Sequence, residues 1–559
     1  MSNTSESDVK HILNFVENND VQFLSSHLEL KKSALGGIGV FATQDIEAEH
    51  ILLRVPKSSI FTAENSTIAN ALVDAEIDGM LALSIAFIYE VSVFKEKSHW
   101  FEYLRTIKWV DNEGQLYLPP SYYEDAKRKQ YLRGTTLDTM YNGLSPQSEV
   151  ENGFSIACDL AVKISSEYHL EIPKIFATEN LDDKQIWRNL LEFVSVGYSI
   201  SSRCFEIDRY HQYGLVIIAD LFNHHVTSPD VHFESVFDVC DKCGEVGECG
   251  HIIAEEKLTA IEELQKKPEK IGIFDHKQLD NFTRQLENNQ ELSDDELLEN
   301  PNETFIEDRV IQGIIPDECV DIRLVNNVKK GEEIFNSYGE LSNSLLLARY
   351  GFVVENNPCD VVNMADAVIQ YSRKASADLK ARIDWWKDMG HEFYFVWYES
   401  KRSEEEEEDE EEDEEEDEEE PENGDSRDGK NSQDAPYDGE NIQDDGQKED
   451  FDKPSKWLDE MFIDNQGKLT PLMLAFVKLL SFNKFEWEKF YTEDPNELWD
   501  RVKCLELNSS ALLSNKKTRK ILEDIVAFKA KWIIPKDADS NIKILLSSEN
   551  FILDQVRSK

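Results

Sequence analysis

The chain has 559 residues, enough for two to four domains, and its 40% hydrophobic and 10% aromatic content can fill a sizeable core. Lys plus Arg number 59 against 112 Asp plus Glu, and the net charge of −53 argues against direct binding to nucleic acid or to an anionic membrane, favouring a basic protein partner. Eight cysteines are too sparse for a disulfide scaffold, no apolar run approaches the ~18 residues of a membrane span, and MSNTSESDVK lacks a signal-peptide core, so a reducing cytoplasmic or nuclear compartment is expected.

Residues 26–62 carry β-type runs (HLELKKS, GVFATQDI, HILLRVPKSSIF) broken by Gly and Pro turns. Residues 66–200 show helical apolar spacing, as in LALSIAFIYEV and DDKQIWRNLLEFVSVGYSI. Strand-like runs return at 214–219, 231–239 and 320–338, with an insertion over about 240–310 whose later part, 255–310, is rich in Glu, Lys, Gln and Asn. After Tyr350 the pattern is helical and Trp-rich. It is interrupted by seventeen consecutive acidic residues, Glu404 to Glu420, within a segment 403–453 that holds 28 acidic and 4 basic side chains. Self-repulsion and lack of apolar residues predict disorder there. The fold class expected is α+β: a β-rich core assembled from distant pieces of chain, followed by a mostly helical region.

Three short motifs offer chemistry. GGIGVFA (Gly36 to Ala42) places glycines between a strand and an apolar run, where backbone can approach a charged ligand closely. It lacks the spacing and setting of a dinucleotide site, and alone reads equally as a connecting turn. ADLFNHH (Ala219 to His225) follows an apolar run, so Asn223 and His224 fall at a strand end, where amides can hold an adenine ring or simply form a turn. GEEIFNSYGELSNSLLLARYGF (Gly331 to Phe352) reads as a strand, a turn and a helix. Tyr338 sits at the strand end, placed to enter a pocket or merely to pack.

In this order and spacing the three motifs resemble the SET-domain protein-lysine N-methyltransferases. The resemblance is to the subgroup whose SET domain is split by a helical insertion, as in the Rubisco large-subunit methyltransferase and fungal ribosomal-protein lysine methyltransferases. It implies a SET domain over 20–360, with its helical insertion at about 66–200, and a helical substrate-binding domain over 361–559 interrupted by the acidic linker 403–453. It also implies S-adenosylmethionine as cofactor, contacted by Gly37, Ile38, Gly39, Arg203, Asp220, Asn223, His224 and Tyr338. Tyr338 would be the catalytic residue, and Tyr350 and Phe352 the walls of a lysine channel. The implied substrate is a lysine of a ribosomal protein or an elongation factor. A histone-lysine methyltransferase, or a non-catalytic acidic chaperone of basic proteins on a SET scaffold, are the alternatives.

One cluster departs from that pattern. Cys240, Cys243, Cys249 and His251 form C-x2-C-x5-C-x-H, enough ligands for one structural zinc in a reduced compartment, or else a plain thiol-bearing loop. The acidic run is either a solubilising linker or an attractor that raises encounter rates with basic substrates.

Overall fold

The computed structural model describes residues 6–558 except 125, 142–146, 247–248, 254–317, 404–455, 459, 493, 507–514 and 530. All of the expected 255–310 segment, and all of the 403–453 acidic linker but Ser403, therefore lie outside the described residues. Two compact units emerge, each around its own apolar core. One comprises Met1–Glu124, Ser145–Leu341 and Leu346–Gly351; the other comprises Asp125–Leu144, Ser342–Leu345 and Phe352–Lys559. Residues 125–144, which the sequence places inside the helical insertion, thus cluster with the second unit.

Among the described residues, the first unit is built on three small sheets. One takes the order β1 (Gln22–Phe23), β4 (Ile51–Pro56), β10 (Cys319–Leu324), β9 (Val231–Ser235), all antiparallel. The second orders β2 (Leu28–Lys32), β3 (Ile38–Ala42), β11 (Glu333–Asn336) and β8 (Asn223–His224), with only the last pair parallel. The third orders β5 (Phe61–Thr62), β7 (Gln212–Leu215) and β6 (Phe205–Asp208). Strands from before and after the helical stretch meet in every sheet, which is the split core that the alternating sequence patterns predict.

Buried charge braces this core at two points. Arg54 and Asp321 lie directly opposite on β4 and β10, and the guanidinium forks onto the carboxylate at 2.8 and 2.6 Å. Removing one partner of such a pair strands the other charge and costs about 3–5 kcal/mol. Asp208 at the end of β6 takes Lys57 Nζ at 2.7 Å and His211 Nδ1 at 2.9 Å. Burial opposes its charge, yet these bonds hold its carboxyl well below the ordinary range.

The apolar spacing over 66–200 becomes helices. Gly79–Tyr89 is buried on all sides from Ala82 onward, so it is a core helix rather than an amphipathic one. Asp183–Ser201 begins with a reciprocal cap, in which the Asp182 carboxylate accepts from Gln185 N–H and the Gln185 side chain accepts from Asp182 N–H.

Three expected strands prove shorter, and the run at 231–239 is strand only to Ser235. The run at 214–219 leaves the sheet after Leu215, because Ile218 adopts φ 67° and ψ −38° and turns the chain into a tight 3-10 turn, Ala219–Leu221. The run at 320–338 divides into β10 and β11, with Val328 bridging to Ile46 between them. In the second unit a two-stranded sheet, β12 (Val361–Asn363) with β13 (Phe462–Asp464), joins helices that bury Trp385, Trp386 and Trp457. Among the described residues, no helix is long and apolar enough to cross a membrane.

Candidate functional site

The parallel pairing of β8 with β11 sets Phe335 opposite Asn223 and Asn336 opposite His224. Tyr338 emerges two residues beyond β11, at the level of His224. Its backbone N–H donates to His224 Nδ1 at 3.0 Å, and its hydroxyl donates to the Phe222 carbonyl at 3.2 Å. The imidazole stacks on the phenol ring at 5.0 Å and 28°, and Tyr350 approaches the same ring at 4.8 Å and 34°. Tyr350 is held in turn because Tyr198 donates to the Leu347 carbonyl of its helix, Asn343–Tyr350, at 2.8 Å.

These contacts decide the protonation states. Since Nδ1 accepts, the neutral imidazole carries its proton on Nε2. Burial, aided by the neighbouring His225, pushes the His224 pKa down to about 4. Burial likewise pushes the phenols of Tyr338 and Tyr350 above their ordinary range. At neutral pH all three rings are uncharged, so none is an anionic base.

The other end of β11 is polar. Glu333 accepts from Asn223 Nδ2 at 2.6 Å on one oxygen and from Ser33 Oγ at 2.9 Å on the other. Its carboxylate lies over Gly39, where a Cβ would stand 2.3 Å from Oε1 and 3.2 Å from Asn223 Nδ2. Only a residue without a side chain leaves that carboxylate in place. Ile38 and Gly39 are buried in β3, and Gly36 and Gly37 precede them at φ 110° and 68°. This end of β11 therefore gathers a glycine-lined strand, a carboxamide and a carboxylate, while the fixed phenol of Tyr338 stands beyond the other end.

Arg203 follows the helix Asp183–Ser201, and its Nη1 donates to Asp220 Oδ2 at 3.0 Å. Burial pushes the Asp220 carboxyl up, and the Arg203 charge pulls against it. Asp220 reaches this place through the Ile218 kink, a left-handed conformation that costs a β-branched residue ~1–3 kcal/mol. Phe352 falls in the second compact unit.

No protein-family model matches the sequence. The chain is 40% identical over 571 aligned residues to ribosomal lysine N-methyltransferase 3 of Saccharomyces cerevisiae, covering 99% of each protein. The chain belongs to the ribosomal lysine N-methyltransferases, a SET-domain family. It is also 23% identical to ribosomal lysine N-methyltransferase 4 of the same yeast, over 57% of this chain and 49% of that one. Among solved structures it is similar to the SET domain of LSMT bound to lysine and AdoHcy, at 15% identity and a TM-score of 0.48, covering 99% of this chain and 90% of that one.

Two residues of this SET core are not singled out by the sequence, although Glu333 lies within GEEIFNSYG. Glu333 and Ser33 are 300 residues apart, and the doublet Glu332–Glu333 gives no local sign of which side chain turns toward Gly39. The available signal is strand alternation. Ile334 is buried in β11, so the flanking Glu333 faces away from that core and toward β3 and β8.

Outside this region, Cys240, Cys243, Cys249 and His251 place one ligand atom each within 4.8 Å of all the others. All eight cysteines of the chain are free thiols.

Proposed function

We propose that this chain transfers a methyl group from S-adenosylmethionine to a lysine side chain of a ribosomal protein or elongation factor, working in the cytoplasm and also the nucleus. The observation that carries this reading is the meeting of Asn223, His224 and Tyr338 at the paired ends of β8 and β11, in a chain 40% identical along its length to ribosomal lysine N-methyltransferase 3. The free thiols fit a reducing compartment, and the net charge of −53 fits a basic substrate.

The residues present suit the cofactor. Gly37 leaves open space, since an added Cβ there would meet nothing within 4 Å, while Gly39 makes room for the Glu333 carboxylate that holds Asn223. Asn223, His224 and the backbone of Gly37 and Ile38 would supply donors and acceptors to the cofactor beside that space. Arg203 and Asp220 brace the turn that presents Asn223. When bound, S-adenosylmethionine supplies an electrophilic methyl on a sulfonium.

Tyr338 orients rather than deprotonates. Its hydroxyl proton is committed to the Phe222 carbonyl, so its oxygen offers lone pairs in a fixed direction to an incoming amine. Holding the reacting groups in line is the main contribution the protein can make to a direct displacement. Burial around Tyr338 and Tyr350 penalises charge, so it disfavours an ammonium and favours the neutral amine as nucleophile. With no anionic base among these rings, the amine loses its proton to water before the transfer.

The test is to incubate the purified protein and S-adenosylmethionine with ribosomes and elongation factors from cells lacking the gene, then measure intact masses. A gain of about 14 Da per methyl group, equivalent to one CH2 on a protein, supports the reading. Unchanged masses across the whole set would overturn it.

A further inference from the structure

We propose that Cys240, Cys243, Cys249 and His251 bind one zinc ion that staples the start of the β9–β10 connection to the β6–β7 turn. The inference is independent of the methyltransferase reading.

Distances carry the proposal. In a tetrahedral site with Zn–S bonds of ~2.3 Å, neighbouring sulfurs lie about 3.8 Å apart and a sulfur lies about 3.5 Å from an imidazole nitrogen. Here Cys243 Sγ and Cys249 Sγ are 3.7 Å apart, and His251 Nδ1 lies 3.8 Å from Cys240 Sγ and 3.9 Å from Cys249 Sγ. A disulfide requires ~2.05 Å, so these are not bonded sulfurs. Three soft sulfurs and one imidazole, with no oxygen among the four ligand atoms, select zinc over calcium or magnesium.

The backbone is shaped for the same end. Cys240 and Cys243 sit on a tight turn in which Cys240 N–H donates to the Glu245 carbonyl at 2.9 Å and Gly244 N–H donates to the Cys240 carbonyl at 2.8 Å. Val239 bridges to Val246 across that turn. Gly244 closes it at φ 73° and packs on Tyr210, where a Cβ would come within 3.0 Å of the ring. Cys249 and His251 come from a second piece of chain, a helical turn in which Ile253 N–H donates to the Cys249 carbonyl at 3.1 Å.

Placement gives the role. β9 and β10 pair directly, Ser235 opposite Val320, so the chain between them leaves and returns at neighbouring points of one sheet. A metal five residues after β9 fixes the direction of exit, and Tyr210 links it to the turn between β6 and β7. Binding releases the thiol protons, so affinity rises with pH.

The test uses full-length protein purified without added metal or chelator. Elemental analysis should give about one zinc per chain, falling at least fivefold in Cys243→Ser and Cys249→Ser. If those variants fail to fold, wild-type protein stripped with a mild chelator and given cobalt(II) should develop the intense visible bands of a tetrahedral thiolate site, and zinc should slow alkylation of three cysteines. Zinc near zero at purification together with no cobalt bands overturns the proposal. So does a full complement of zinc in a folded Cys243→Ser, Cys249→Ser double variant.

Discussion

At one end of β11 Glu333 grips Ser33 and Asn223 through two hydrogen bonds to a carboxylate. Beyond the other end Tyr338 is gripped by the rings of His224 and Tyr350 and by one carbonyl. The polar end is directional and tolerates any group with the same acceptors. The aromatic end works through shape and dryness, which keep three titratable rings neutral. In the function proposed above, the Glu333–Asn223 end would serve mainly the cofactor and the Tyr338 end mainly the amine, two tasks at opposite ends of one strand.

The largest expected effect breaks the aromatic end. Tyr338→Phe keeps the ring and removes the hydroxyl, and it should lower kcat tenfold to a thousandfold, ~1.4–4 kcal/mol of barrier. Cofactor affinity by calorimetry should stay near wild type, because the polar end is untouched. Wild-type single-turnover rates would remove Tyr338 from the chemistry.

Acid should weaken the same end. His224 has a folded pKa pushed down to about 4, against ~6.5 in the unfolded chain, so its contribution is complete above about pH 6.5 and drains away as pH falls toward 4. The contribution is at most about 3 kcal/mol. Denaturant melts of wild type and His224→Gln should therefore differ most at neutral pH and converge near pH 4. A constant difference across that range would contradict the neutral stacked imidazole.

Glu333→Ala tests the polar end and should weaken cofactor binding about tenfold, ~1.4 kcal/mol, with kcat at saturation much less affected. Glu333→Gln should recover most of this, since its carbonyl accepts from Asn223 and its amide can donate to Ser33. Equal losses in Ala and Gln would mean that charge, not hydrogen-bond geometry, matters there.

The smallest change is Gly39→Ala, which pushes the Glu333 carboxylate off its seat and should weaken cofactor binding by a few fold, under ~1 kcal/mol. In a Glu333→Ala background the same substitution should cost less, because the clash is gone. Additive effects would show that the two residues act separately.

Much of this was legible in the sequence because GGIGVFA, FNHH and FNSYG combine apolar runs with residues that end them. The structure brings Gly39, Asn223, His224, Tyr338 and Tyr350 into one region and pairs Arg203 with Asp220. The strand boundaries were not legible, since Ile218 turns the chain with no Gly, Pro or Asn to announce it, and the stretch reads as uninterrupted apolar strand. Glu333 was hidden for another reason: its partners lie 110 and 300 residues away, and a surface carboxylate looks the same in sequence as a half-buried anchor. Nor does anything in 125–144 mark it as belonging with the C-terminal unit; that affiliation comes from long-range packing.

The Ser33–Glu333 bond spans 300 residues of chain, and that span has a cost during synthesis. At ~5–20 residues added per second, β2 and β3 emerge about 15–60 s before β11 exists to cover them. Through that interval the edge of IGVFA that will take Glu333 and Ile334 is an open, apolar strand edge, a template for wrong partners. The site is therefore the last part of its unit that can form, and pulsed proteolysis of stalled nascent chains should find β3 protected only once Asn336 has cleared the ribosome.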